Sequence, residues 1–271
     1  MPHAAARPRP EGPGGRIQIV VPVYNEGEGA RKIHDGLRAA AVEYDDLRFV
    51  YDFDEDTTLP FIREIAREDP RVRGEKNTTG KGVVNALRHA FARCEPGPVV
   101  VLMGDLSDEL GIVPKMIVAW KSGADVVCPS RYVAGGRQEG GGWLKSRLSR
   151  CAGRSLAMLG FPISDPTSNF KLYDGAWLAR TTIESHGGFE VALELCVKAW
   201  SEGLTFAEMP TVWKDRTSGT SRFRLLQWLP HYLRWYLRAV GGLLMRPFRG
   251  PPGKREHGEH GGSNEGTERT R

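Results

Sequence analysis

No two of the four cysteines, at positions 94, 128, 151 and 196, stand at CxxC spacing, so a zinc knuckle and a dithiol redox pair are excluded. With no recognisable leader before them, they are expected to be free thiols in a reducing cytosol. No apolar run approaches the roughly 18 residues needed to cross a bilayer, which excludes an integral membrane span. No GxGxxG follows an apolar run, and this weighs against a dinucleotide dehydrogenase. Thr79-Gly80-Lys81-Gly82 ends like a phosphate loop, but Lys81 precedes a glycine and the upstream glycine is misplaced, so a kinase of that type is not expected. Asp, Glu and Lys are all missing from residues 222–249, which instead hold six arginines, much of the basic excess in a chain of net charge +5. That local charge fits an anionic surface. Nucleic acid is not expected, because no RNA- or DNA-binding motif accompanies it.

What remains is an ordinary soluble composition in 271 residues, with 40% hydrophobic and 26% charged side chains, enough for one sizeable domain. Residues 1–14 and 249–271 are too polar and too rich in Gly and Pro to bury a core, and are read as disordered tails. Between them, IQIVVPVY (17–24) is a continuous apolar run, LRFVYDF (47–53) reads as a second strand, and VVVLM (99–103) and DVVCPS (125–130) as further buried strands, separated by helix-like stretches, among them 27–41 and 59–68. Continuous rather than alternating apolar strands, spaced by helices, predict an α/β fold with a mostly parallel sheet covered on both faces.

Such sheets bind ligands where the carboxyl ends of their strands open into loops. Here those loops carry Asn25 and Glu26, then Asp52, Asp54, Glu55 and Asp56, then Asp105 and Asp108. Acidic loops without a dinucleotide fingerprint suit a nucleoside diphosphate held through a divalent cation, which one or two carboxylates share with two phosphates.

At this point the chain resembles family 2 glycosyltransferases, and within them the dolichol-phosphate mannose synthase-like subgroup. The resemblance rests on IVVPVYNE (19–26), Asp52, GDLSDE (104–109), SRY (130–132), DPTSNFKLY (165–173) and DRTSGTSRF (215–223), in that order over residues 16–223. It implies a GT-A, Rossmann-like single domain over residues 15–222. It also implies that Pro22, Tyr24, Asn25, Glu26, Asp52 and Asp54 contact the donor nucleotide, and that Asp105 binds Mg2+ or Mn2+ with Ser107 beside it. Arg216 and Ser221 would close over the donor diphosphate, with Lys81 also counted on the donor side. Arg131, Lys145 and Ser149 would hold an acceptor phosphate. Two positions depart from the family pattern: Phe53 stands where the second Asp of a DDGS-type signature is expected, and Met103 where the first Asp of a DxD motif is expected. A thioether is a poor ligand for a hard cation. The plainer alternatives are that Asn25 and Glu26 start a helix, that Asp54 to Asp56 cap the next one, and that Asp105 and Asp108 cap the helix near Gly111.

Asp165 and Glu194 are the carboxylates left for base chemistry. A phosphate acceptor brings its own anionic oxygen and needs no strong base, whereas a hydroxyl acceptor does need one. Asp165 is the candidate for that role, and Glu194, within FEVALELCVKAW, is read as part of a partly buried helix. The cysteines and Trp120, Trp177 and Trp200 are read as core. Between Leu225 and Val240, Gln227, His231, Arg234 and Arg238 fall on one helical face and large apolar residues on the others. Residues 223–248 are therefore expected to form amphipathic helices in a membrane interface, broken or started at Pro230, with packing on the domain as the alternative.

The resulting expectation is an inverting glycosyltransferase, peripheral on the cytoplasmic membrane face. It would move a sugar from GDP-mannose or a UDP-sugar to a polyprenyl phosphate. The alternatives are transfer to a hydroxyl with Asp165 as base, and a non-catalytic sugar-nucleotide-binding module.

Overall fold

The computed structural model describes residues 15–140, 142–215 and 225–245; the side chains of 143–145 and 225–228 lie outside that description. The first half of the chain alternates strictly: β1 (Gln18–Pro22), α1 (Gly29–Ala39), β2 (Asp46–Tyr51), α2 (Leu59–Glu68), β3 (Val72–Lys76), α3 (Val83–Phe91) and β4 (Pro98–Val101). A single 3-10 turn at Leu110–Ile112 leads into α4 (Val113–Lys121) and β5 (Val126–Ser130). Then follow β6 (Arg137–Glu139), α5 (Trp143–Met158), β7 (Lys171–Asp174), α6 (Gly175–Arg180), α7 (Val191–Ser201), β8 (Phe206–Pro210), β9 (Val212–Lys214) and α8 (Leu225–Met245).

Seven strands form one sheet in the order β3-β2-β1-β4-β7-β5-β8, and β6 pairs with β9 in a separate ribbon. The four strands read from sequence are β1, β2, β4 and β5. All pairs in the large sheet are parallel except those of β7, which runs antiparallel between β4 and β5. Strand alternation divides the core in two. Val20, Val99 and Val101 point to the side covered by α3, α7 and α8, while Ile19, Val21 and Val100 point to the side covered by α1, α2 and α4. The helices match their faces: Ala30, Ile33 and Leu37 of α1 and Leu59, Ile62 and Ile65 of α2 recur at three- and four-residue intervals and are buried.

Because β1 connects outward to β2 and β3 on one side while β4 lies on its other side, the strand order reverses between β1 and β4. That is the switch point where such sheets form a crevice. All four cysteines are free. Cys94, Cys128 and Cys196 are buried as expected, but Cys151 is exposed on α5, so it is not a core residue.

The carboxy-terminal segment differs from its expectation. It is one helix, with Pro230 inside it rather than at a break. Pro230 falls early in α8, where its missing N–H removes a single intrahelical bond. The helix is anchored on the domain: Trp235 and Ala239 are buried in the core beside α7, and the Trp235 indole N–H donates to Ser185 Oγ at 3.1 Å. The Tyr236 hydroxyl meets Ser155 Oγ at 2.8 Å. A Cβ on Gly242 would come within 2.9 Å of the Trp200 ring, so the backbone passes where no side chain fits. Arg234 and Arg238 both reach Glu184, at 3.0 and 3.4 Å, and Lys198 joins the same carboxylate at 2.9 Å. These arginines thus already have an intramolecular counterion. Leu229, Leu233 and Leu237, four residues apart, remain 46%, 49% and 58% exposed. No described helix is long and apolar enough to cross a membrane.

Removing the largest anchor tests whether α8 belongs to the core. Trp235→Ala is expected to lower unfolding stability by about 3–5 kcal/mol, the usual cost of truncating a buried aromatic, in equilibrium urea denaturation. Arg234→Ala, at a half-exposed ion pair, is expected to leave the midpoint nearly unchanged.

Candidate active site

The loops at the carboxyl ends of β1, β2 and β4 meet, and their own polar groups hold them together. After β1, Asn25 adopts a left-handed backbone (φ 55°). Its N–H donates to Asp56 Oδ2 at 3.0 Å, and its side-chain oxygen accepts from the Thr57 N–H at 3.0 Å. The Glu26 N–H donates to Thr58 Oγ1 at 3.0 Å, and Asp56 Oδ1 accepts from the Thr58 N–H at 2.8 Å. Asp56 is buried and serves as the latch between two loops. Asn25 belongs to the same latch and does not line the cavity described below, contrary to its expected donor contact.

Asp52, at the end of β2, accepts from Asn77 Nδ2 at 2.8 Å and from the Gly82 N–H at 2.7 Å, which fixes the 77–82 loop. Gly80 and Gly82 have φ of 115° and 103°, values that side-chain-bearing residues rarely adopt. This accounts for the glycines around Lys81 without a phosphate loop. Lys81 is exposed and does not line the cavity. Asp54 is paired with Lys76 on the surface, and the carboxylate raises the lysine pKa through a direct hydrogen bond. It too lies off the cavity wall. Phe53 packs edge-on against Tyr24 with ring centroids 5.2 Å apart, so the residue at the departed acidic position supports an aromatic wall.

The β1 and β4 loops touch at Gly104, where a Cβ would lie 3.1 Å from Glu26 Cγ and 3.2 Å from the Pro22 carbonyl oxygen. Next to it, Asp105 Oδ1 accepts from Ser107 Oγ at 2.6 Å and from the Ser107 N–H at 3.2 Å. Asp108, whose Oδ2 accepts from the Met103 N–H at 3.1 Å, has its pKa pushed up to about 7, first by burial and then by the nearby Asp105 charge. Two carboxylates crowded in this way form a place short of positive charge. Among the described residues no group of three or more His, Cys, Asp or Glu side chains is placed to hold a metal alone. The arrangement fits a cation that takes one or two carboxylates from the protein and its other ligands from a diphosphate.

Across the crevice, Arg131 follows β5. Its Nε and Nη2 donate to the two oxygens of Asp165 at 2.7 and 2.8 Å. Asp165 is fully buried and off the cavity wall. Burial alone would raise its pKa, but the Arg131 charge and hydrogen bonds outweigh this and hold it below the usual carboxylate range. A carboxylate so engaged is a weak proton acceptor, which argues against Asp165 as a general base. Glu194 accepts from the backbone N–H groups of Glu184 and Ser185 and pairs with Lys198, a structural role as expected. Ser149 Oγ lies 2.9 Å from the Tyr132 hydroxyl and 2.6 Å from Thr167 Oγ1.

These groups surround one cavity of about 860 Å³. Pro22, Tyr24, Glu26, Asp52, Asp105 and Ser107 line one part of its wall. Arg131 and Ser149 line another part. Thr167, Trp213 and Tyr232 also form the wall and were not singled out from sequence. Thr167 lies inside a quoted motif, whereas Trp213 and Tyr232 read as ordinary apolar positions. The Lys145 side chain, Arg216 and Ser221 lie outside the described residues.

The family model described as glycosyl transferase family 2 matches residues 18–180. A dolichol-phosphate mannosyltransferase of Pyrococcus furiosus is 26% identical over 232 residues, covering 81% of this chain and 63% of the relative. A polyprenol monophosphomannose synthase of Mycolicibacterium smegmatis is 27% identical over 217 residues, 78% of this chain and 82% of the relative. A bactoprenol glucosyl transferase of Shigella phage SfX is 29% identical over 123 residues, 43% of this chain and 39% of the relative. The chain thus spans under two thirds of the archaeal and phage proteins. Among solved structures, glucosyl-3-phosphoglycerate synthase from Mycobacterium tuberculosis, in complex with Mn2+, uridine diphosphate and phosphoglyceric acid, superposes with a TM-score of 0.60 at 20% identity. That superposition covers 88% of this chain and 81% of the other. At such identity the likeness is one of fold.

The loop latch makes a direct prediction. Asp56→Ala strips two backbone N–H groups of a charged acceptor and is expected to cost about 2–4 kcal/mol of stability, read from denaturant midpoints. Asp54→Ala, on the surface, is expected to leave the midpoint where it is.

Proposed function

Since the chain belongs to glycosyl transferase family 2, we propose that it transfers a sugar, with inversion, from GDP-mannose or a UDP-sugar to a polyprenyl phosphate. The observation that carries this reading is the two-part wall of the cavity. Asp52 and Asp105 lie where a nucleoside diphosphate would sit, and Arg131 with a cluster of hydroxyls lies where a second anion would sit.

Asp105, with Asp108 behind it, would hold a magnesium or manganese ion, which would supply positive charge to the donor diphosphate. The protein's own task is placement. Asp52 fixes the 77–82 loop at the nucleoside side, Tyr24, braced by Phe53, offers an aromatic wall, and Gly104 lets the backbone approach. Arg131 and Ser149 would bind the acceptor phosphate, with Lys145 on the same helix as Ser149, so that a phosphate oxygen attacks the anomeric carbon opposite the departing diphosphate. Arg216 and Ser221 would close the donor side. An acceptor that is already ionised asks for no base, in keeping with Asp165 being committed to an ion pair.

A lipid acceptor is supported by the relatives, whose names carry dolichol, polyprenol and bactoprenol. It is also supported by the exposed leucine row of α8, whose first member, Leu229, lines the cavity as well. We place the enzyme on the inner face of the cytoplasmic membrane, with that row against the lipid.

The test is transfer of radiolabel from a panel of sugar nucleotides into the lipid phase, with polyprenyl phosphate and polyprenol offered side by side. Label is expected on the phosphate alone and only with a divalent cation, and equal labelling of the alcohol would refute the reading. Asp105→Asn is expected to lower kcat by about 100-fold or more with an unchanged thermal midpoint. Leu233→Glu combined with Leu237→Glu is expected to abolish liposome flotation while sugar-nucleotide binding persists.

A further inference from the structure

Arg131 is held from several directions. Besides the two side-chain bonds to Asp165, its backbone N–H donates to Asp165 Oδ2 at 3.2 Å. The Tyr132 and Trp213 rings lie 4.9 and 6.0 Å from its guanidinium carbon. Nη1 is the one end of the fork with no hydrogen bond among the described residues, and Arg131 borders the cavity while Asp165 does not.

Asp165 is itself immobilised by buried groups. Glu208 Oε1 accepts from the Ser164 and Asp165 N–H groups at 2.7 and 3.1 Å. The Lys171 ammonium, fully buried, donates to the carbonyl oxygens of Asp165, Pro166 and Ser168. The Cys128 thiol donates to the Asp165 carbonyl as well. Strand β7 thus sends Lys171 back beneath the very loop that precedes it, and β8 contributes Glu208.

We propose that Asp165 is a positioning residue, which holds the Arg131 guanidinium in the orientation that presents Nη1 to the phosphate of an acceptor, beside Ser149 and Thr167. This rests on the phosphate-acceptor reading above. A free arginine must give up several rotatable bonds when it grips an anion, and that ordering weakens binding. Here the ordering is done in advance by two parallel bonds to one carboxylate, a geometry that lysine's point charge cannot reproduce. The carboxylate also makes the burial of the arginine tolerable, because an unpaired guanidinium in this position would be strongly disfavoured. The pair is close to neutral, so the cavity offers an anion one directed donor rather than a diffuse field.

The experiment uses the full chain and a short-chain isoprenyl phosphate as probe. Its equilibrium binding is measured without donor, and its KM is measured with the sugar nucleotide that supports turnover. Asp165→Asn is expected to weaken probe binding and raise the probe KM by about tenfold or more, the worth of one charge-assisted hydrogen bond. The KM for the sugar nucleotide is expected to stay within about twofold, since nothing on the donor wall moves. Asp165→Glu, which keeps the charge, is expected to recover part of the loss. The double variant Arg131→Ala with Asp165→Asn is expected to bind no worse than Arg131→Ala alone, because Asp165 acts through Arg131 and its other contact at the cavity, accepted from Thr167 Oγ1, is long at 3.4 Å. If Asp165→Asn proves too unstable to purify, Asp165→Glu is compared with wild type for the same split between acceptor and donor.

Equal probe binding by wild type and Asp165 variants overturns the proposal and leaves the acceptor reading intact. Additive losses in the double variant, or equal losses for donor and acceptor, overturn it too, since they mark a general structural role. If wild type itself binds no isoprenyl phosphate, the acceptor reading fails and this proposal falls with it.

Discussion

Loops that leave the same edge of a parallel sheet carry backbone N–H groups for which the strand ladder has no partner, and buried N–H groups must find one. In this chain carboxylates supply it. Asp56 takes the N–H groups of Asn25 and Thr58, Asp52 that of Gly82, and Asp108 that of Met103. Glu208 takes those of Ser164 and Asp165, and Glu194 those of Glu184 and Ser185. Three of the carboxylates that look functional from sequence, Asp52, Asp56 and Asp108, thus hold loops in place. The crevice between β1 and β4 has a defined shape because these anions fix its walls, and Gly104 lets the walls come close.

This accounts for what could and could not be read from sequence. Strands β1, β2, β4 and β5 are buried on both faces and were legible as strands, and α2 fell on the expected residues. Strand β3, VRGEK, was not, because it lies at the sheet edge and only Val72 is buried. Nor does composition reveal that β7 runs backwards, since an antiparallel strand inserted between parallel ones is buried on both faces like its neighbours. In α8, His231, Arg234 and Arg238 are exposed, but the large apolar residues divide into a buried side with Trp235 and an exposed side with Leu233, and periodicity alone cannot separate them.

At the site, motif order was informative and single residues less so. Asp52, Asp105 and Arg131 border the cavity. Asp54 and Asp56 are two positions apart and chemically identical, yet one pairs with Lys76 at the surface and the other is the buried latch. The difference lies in which neighbour each meets in space. Asp165 shows the same limit: as a lone carboxylate in a polar motif it suggests a base, and only its contact with Arg131 gives it another meaning.

Leu229 belongs at once to the cavity wall and to the exposed row on α8. A surface that covered the row would also lie against one residue of the cavity wall. An activated glycosyl group is vulnerable to hydrolysis wherever bulk solvent can enter, and excluding water protects it. If the proposed lipid acceptor is right, contact between α8 and an apolar surface would couple recruitment to dehydration: the event that brings the enzyme to the lipid would also hinder the competing nucleophile. Selectivity against water would then be a property of the docked enzyme, requiring no moving lid of its own.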